Sequence, residues 1–167
     1  MGDTLVANGA EYAAVFAREA EGLPPPAPDT LLLPEWRVDD WKKLLSGTKM
    51  QPFKTSDVVI QRSVEDRALY FVGAGVLEVG VTHFDGVTMS SLARIGICSV
   101  IGEQSFFDGL GRSANVWAVT DGALLRWEFD EYKRFGAEEP RLARDLLFGV
   151  ARVLSTRLRT TTIRIRR

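Results

Sequence analysis

Between Lys49 and Glu128 the apolar residues fall into short runs or strict alternation, and turn residues part each run from the next. A helix would need apolar residues recurring at roughly every third or fourth position over ten or more residues, so this stretch folds as strands. Val58-Val59-Ile60 and Leu69-Tyr70-Phe71-Val72 are unbroken apolar runs. Val76 to Thr82 alternates, with Leu77, Val79 and Val81 on one side and Glu78 and Gly80 between them. Asp85-Gly86 is a hairpin signal, after which Val87 to Ile95 returns. Ala114 to Val119 and Ala123 to Phe129 add two strands joined at Asp121-Gly122. Many short strands with turns between them predict a sandwich, roll or barrel.

Helical patterns flank this region. Glu11 to Glu21 is rich in alanine and glutamate and predicts a short helix ending at Gly22. Pro24-Pro25-Pro26-Ala27-Pro28 cannot continue it and reads as an extended linker. A second helix is expected over Val38 to Leu45, capped by Asp39 or Asp40, with Trp41, Leu44 and Leu45 on one face. After Pro140, Leu142, Leu146, Leu147, Val150, Val153, Leu154 and Leu158 recur at helical spacing. That stripe reads as core-facing, with a dimer seam as the alternative. The four tryptophans, Trp36, Trp41, Trp117 and Trp127, read as packing anchors.

A chain of 167 residues fits one domain. Cys98 is alone and cannot form an internal disulfide, which suits a reducing compartment; it reads as a small buried hydrophobe. His83, the only histidine, reads as a loop residue, and with a single cysteine elsewhere it makes neither a zinc site nor a Cys-His pair. Neither a P-loop nor a nucleophile elbow is present, so no catalytic class is favoured. No membrane-length apolar run and no basic, apolar leader is found, and the expectation is a cytoplasmic chain. Net charge is −1, which argues against a nucleic-acid partner, but the charge is unevenly placed. From Arg141 onward eight arginines face one acid, Asp145, a net of +7; the preceding residues carry thirteen bases and twenty-one acids, a net of −8.

The segment from Ile101 to Val116 carries the chemistry. Gly102 permits close backbone approach, and Glu103 to Phe107 as one helical turn would aim free N–H groups at an anion. Arg112 offers a planar, permanently charged fork to phosphate oxygens, whereas Glu103 accepts from a sugar hydroxyl. The bland alternative pairs Glu103 with Arg112 across a hairpin.

Here the sequence resembles the cyclic-nucleotide-binding domain family, in which a Gly-Glu pair followed about nine residues later by Arg, a small residue and Ala forms the phosphate-binding cassette. The resemblance covers about residues 36–160. It includes Leu69 to Val72 with Gly75 to Val79, Leu92 to Gly96, and an ungapped match from Arg112 through Leu158 to the bacterial catabolite-activator type. It implies that Glu103 takes the ribose 2′-hydroxyl and Arg112 the cyclic phosphate. The backbone around Ser105 and Ser113 would complete the cradle, so the expected ligand contacts are Gly102, Glu103, Gln104, Ser105, Arg112, Ser113 and Ala114. Three positions where the family usually has glycine read Ser56, a shortened Ser63-Val64-Glu65-Asp66 turn, and Cys98. Hydroxyl residues that meet the base in the catabolite-activator type fall here at Arg157 and Leu158, with Ser155 and Thr156 offset.

The expectation is a mainly β protein: a double-stranded, jelly-roll-like β-roll with N-terminal helices and a long C-terminal helix. Residues 1–35 form a helix and Pro-rich linker, 36–160 the binding domain and 161–167 a basic tail. The implied function is a stand-alone, non-enzymatic sensor that binds cAMP or cGMP and needs no further cofactor. Its partners are the nucleotide, an unidentified protein and, through the C-terminal helix, a second copy. The alternatives are a ligand-free scaffold of the same fold and a fragment of a catabolite-activator-type regulator.

Overall fold

The computed structural model describes residues 7–83 and 85–166. A 3-10 turn, Gly9–Tyr12, runs into α1 (Ala13–Phe16), and α2 (Val38–Leu45) follows. The strands are β1 (Lys49–Phe53), β2 (Val58–Ile60), β3 (Leu69–Ala74), β4 (Leu77–Thr82), β5 (Met89–Ile95), β6 (Val100–Ile101), β7 (Asn115–Ala118) and β8 (Gly122–Trp127). Between β6 and β7 lies α3 (Glu103–Asp108), and the chain closes with α4 (Phe129–Glu138) and α5 (Pro140–Ile165). The strands form two antiparallel four-stranded sheets, β1-β8-β3-β6 and β2-β7-β4-β5, the expected jelly-roll-like roll.

The two kinds of strand pattern have distinct causes. β3 lies inside its sheet with both faces covered, so Leu69 to Val72 is unbroken apolar sequence. Leu69 and Phe71 join Trp41, Leu45 and Trp127 on the helical side. Tyr70 and Val72 join Leu77, Val116 and Leu124 between the sheets. β5 pairs only with β4 at a sheet edge and is mostly exposed, hence its polar residues. β1 is also an edge strand, the place where a sheet tolerates a proline such as Pro52.

The N-terminal region departs from expectation. The helix foreseen over Glu11 to Glu21 ends at Phe16, because Arg18 adopts a φ of 61° and closes a Schellman turn. Glu19 N–H donates to Ala14 O (2.9 Å) and Arg18 N–H to Val15 O (3.1 Å). Ala13 and Phe16 are buried in the core, so tertiary packing overrides the helical propensity of the following residues. Pro24 to Ala27 are exposed and without regular structure, and the residues that follow, Pro28 to Leu33, form a strap against α5. Leu31 is fully buried, and its N–H donates to Cys98 O (2.9 Å). Gly149 lets α5 approach the strap closely: a Cβ there would lie 2.8 Å from Leu33 Cδ2.

α2 has the expected bounds, but its N-cap is Arg37, whose N–H donates to the Asp40 carboxylate (3.0 Å). β8 stops at Trp127, and Phe129 opens α4; Phe129, Tyr132 and Phe135 then pack toward Phe106 and Trp127. Pro140 is at the first turn of α5, which runs 26 residues and so takes in most of the expected basic tail. Its stripe divides: Leu142, Leu146, Val150 and Val153 face the core, while Leu158 is 68% exposed, and Phe148, outside the stripe, is 79% exposed. Among the described residues no helix is long and apolar enough to cross a membrane.

Ser56, Ser63 and Cys98 hold φ of 73°, 69° and 63° in the left-handed region. These are the turns where the resemblance implies glycine, so the backbone keeps the turn after the side chain has changed. A left-handed residue with a Cβ costs about 1–2 kcal/mol, partly offset by glycine's larger entropy loss on folding. Exposed Ser56→Gly is therefore expected to stabilise the fold by about 0.5–1 kcal/mol, raising Tm by roughly 1–4 °C in a thermal melt. Ser56→Val should lower it.

Candidate functional site

Gly102 starts α3 with a φ of 78°, and a Cβ there would lie 2.3 Å from Arg112 Nη1. Only glycine allows the arginine to close on this turn. The first bond of α3 runs from Phe106 N–H to Gly102 O (3.1 Å), so the N–H groups of Glu103, Gln104 and Ser105 precede it and have no intrahelical acceptor. At the other end, Arg67 Nε donates to Phe106 O (3.0 Å) while its guanidinium lies 3.7 Å over the Phe129 ring.

Arg112 is buried, its side chain 3% exposed. Nη1 donates to Gly102 O (2.9 Å), and Nη2 donates to Ala68 O and to Asp66 Oδ2 (each 2.8 Å). Asp66 also accepts from Arg126 Nη1 and Nη2 (each 2.8 Å) and from the Tyr70 hydroxyl (3.0 Å). Tyr70 and Arg126 are cross-strand partners in β3 and β8, so sheet register delivers both to Asp66. Burial pushes the Asp66 carboxyl up, but hydrogen bonds from Arg126 and Arg112 outweigh it and hold the group well below the usual carboxylate range. The Asp66 bond raises Arg126 in turn. One polar atom of the cluster is left over: Arg112 Nε is buried with no hydrogen-bond partner among the described residues.

Glu103 does not pair with Arg112. Its carboxylate, 8% exposed, lies 3.0 Å from Nη1 of Arg157 on α5. Arg157 Nε donates to Asp29 on the strap (2.9 Å) and Nη2 to Val100 O (2.9 Å).

Arg112, Glu103, Arg157 and Asp29 line a cavity of about 600 Å³ between α3, the β2-β7-β4-β5 sheet, the strap and α5, with the Asp66 cluster behind Arg112. All seven residues singled out from the sequence, Gly102, Glu103, Gln104, Ser105, Arg112, Ser113 and Ala114, are on its wall. Ser105 is buried, whereas Gln104 and Ser113 are exposed. α5 contributes Thr156, Arg157, Thr160, Thr161 and Arg164, and the strap contributes Asp29. The sequence reading did not place Asp66, Tyr70, Arg126 or Asp29 at the site, because each reaches it through strand pairing or chain reversal that local pattern does not encode. Among the described residues no group of three or more His, Cys, Asp or Glu is placed to hold a metal ion. The arrangement can hold an anion at Arg112 and a hydroxyl at Glu103, with the α5 threonines opposite.

A sequence model of the family described as "Cyclic nucleotide-binding domain" matches residues 50–139. A cyclic nucleotide-binding domain from Methylobacillus flagellatus superposes with a TM-score of 0.75 at 18% identity, over 93% of this chain and 82% of that one. The Thermus thermophilus catabolite activator protein gives 0.67 at 24% identity over 87% of this chain, which spans 60% of that protein. The N-terminal domain of a transcriptional regulator from Streptomyces coelicolor gives 0.63 at 27% identity, over 78% of this chain and 88% of that one. None of the curated protein sequences matches the chain significantly.

The Asp66 cluster has a pH signature. A carboxylate held below its unfolded value contributes stability that is fully present above about pH 4 and lost as pH falls toward the folded value. Asp66→Asn is expected to cost about 2 kcal/mol at pH 7, the scale of a hydrogen bond to a charged group, and to flatten the acid limb below about pH 4. Urea melts of both chains between pH 7 and pH 2.5 check it. Parallel acid limbs would mean that Asp66 does not carry this dependence.

Proposed function

Because the chain belongs to the cyclic-nucleotide-binding domain family, a family of regulatory ligand-binding domains, we propose that it binds a cyclic mononucleotide, cAMP or cGMP, and works as a sensor module. The observation that carries this reading is Arg112, which lines a cavity that also holds Glu103 and whose buried Nε has no acceptor among the described residues. An orphaned buried N–H costs about 1–3 kcal/mol, and an anion entering the cavity would relieve that cost. The phosphate belongs at this nitrogen, with the leading N–H groups of α3 beside it. The ribose hydroxyl belongs at Glu103, and the base lies toward Thr156, Thr160 and Thr161 of α5. A cavity of about 600 Å³ is within the range of small-ligand pockets. Neither catalysis nor a further cofactor enters this role.

The outward face of α5 supports a second copy as partner. Phe148 and Leu158 are strongly exposed, and Leu147, Phe148 and Leu154 line an apolar groove that also contains Phe107 of α3. A dimer along this face would touch the helix that forms the ligand site, so occupancy and association would be linked. In sedimentation velocity the chain is expected to be a dimer and Phe148→Glu a monomer; a monomeric wild type at about 100 μM would rule the seam out.

Calorimetric titration with cAMP and cGMP tests the ligand. Removing one partner of a buried charged contact costs about 2–5 kcal/mol, so Arg112→Ala is expected to weaken binding roughly thirty-fold to several-thousand-fold. Arg112→Lys keeps a charge for Asp66 but removes the planar fork, and should also lose most of the affinity. No heat from either nucleotide with folded, nucleotide-free protein would favour the ligand-free scaffold.

A further inference from the structure

Arg157 on α5 meets three other elements of the chain: α3, the strap and β6. One guanidinium touches Glu103 through Nη1 (3.0 Å), Asp29 through Nε (2.9 Å) and Val100 O through Nη2 (2.9 Å). Glu103 is almost out of water, so Arg157 supplies the charge that makes an ionised carboxylate tolerable there. A ligand hydroxyl that donates to Glu103 must compete with this contact. Breaking a buried pair normally strands both ions, which is a large penalty. Asp29 removes half of it, since it binds a different nitrogen of the same guanidinium and keeps Arg157 paired after Glu103 is taken. Asp29 is held in place because the strap is fastened on both sides: Arg152 donates to Pro28 O and Thr30 O, and Leu31 N–H to Cys98 O.

Resting on the nucleotide reading above, we propose that Arg157 is a built-in competitor for the Glu103 carboxylate. Asp29 takes over its charge when a ribose hydroxyl displaces it, so the N-terminal strap sets the affinity of the site. The two residues then have opposite signs. Arg157 opposes a ligand that carries the hydroxyl, and Asp29 favours it by giving the displaced arginine a partner.

Four chains test this: wild type, Arg157→Met, Asp29→Asn and the double variant, each titrated by calorimetry with cAMP, cGMP and their 2′-deoxy counterparts. Arg157→Gln substitutes for Arg157→Met if circular dichroism shows the latter unfolded. Arg157→Met is expected to tighten the preferred ribonucleotide by about tenfold or more, and to widen the ribo-to-deoxy affinity ratio by a similar factor. A structural role alone would not move that ratio, because only the hydroxyl-bearing ligand has to displace Arg157. Asp29→Asn should weaken the ribonucleotide roughly threefold or more and have no effect in the Arg157→Met background. Wild-type binding with an unchanged ratio in Arg157→Met overturns the competition and leaves the nucleotide reading standing. An Asp29→Asn effect that persists in the double variant makes Asp29 a direct ligand contact and overturns the hand-over. Binding by none of the folded chains overturns both proposals.

Discussion

The ion pair between Asp66 and Arg112 organises the site. Asp66 precedes β3 and Arg112 precedes β7; backbone bonds from Ser63 N–H to Arg112 O (2.8 Å) and from Arg112 N–H to Val64 O (3.0 Å) hold the two segments together, and the ion pair fixes the side chains. Asp66 stays ionised despite its burial because two guanidinium groups share it. With Nη2 held by Asp66 and Ala68 O, and Nη1 held by Gly102 O, the plane of the Arg112 fork is set before any ligand arrives. Such preorganisation lowers the ordering cost of binding. It also leaves Nε without a partner, so the contacts that fix the fork define where an acceptor is missing.

The same cluster ties the site to the core. Arg126 and Tyr70 belong to adjacent strands of one sheet, so Asp66 is anchored to its middle. Phe106 of α3 stacks on Trp127 and meets Phe129 and Tyr132, so a shift of the cassette turn presses directly on α4. α5 closes the far side with a core-facing stripe, a cavity-facing row of threonines and arginines, and an exposed apolar face. In the proposed reading, these three surfaces on one helix would couple ligand, strap and partner without a separate transmitting element.

How much of this the sequence discloses depends on the range of each contact. β2, β3, β4 and β5 are legible because burial on one or two faces writes itself into period or run length. β1 is hidden by Pro52 and β6 by having two residues. α4 is hidden because its apolar residues, Phe129, Tyr132 and Phe135, continue directly from a strand-like run. The cassette residues stand together in the chain and come together on one wall of the cavity. Asp66, Arg126, Asp29 and Arg157 meet the cassette only through the fold, from partners 46 to 128 positions away in their mutual contacts. Arg157 departs from the hydroxyl pattern that the resemblance implies, and the structure gives that departure a place: between strap and cassette.

The most direct measurement is the NMR signal of the Arg112 Nε–H group, assigned by its loss in Arg112→Lys and followed as cyclic nucleotide is added. A phosphate oxygen accepting from this nitrogen should move its proton resonance downfield and slow its exchange with water at saturation. A nucleotide that saturates the protein while this signal keeps its position and exchange rate would contradict the account, because the donor left without a partner would then not be where the ligand binds.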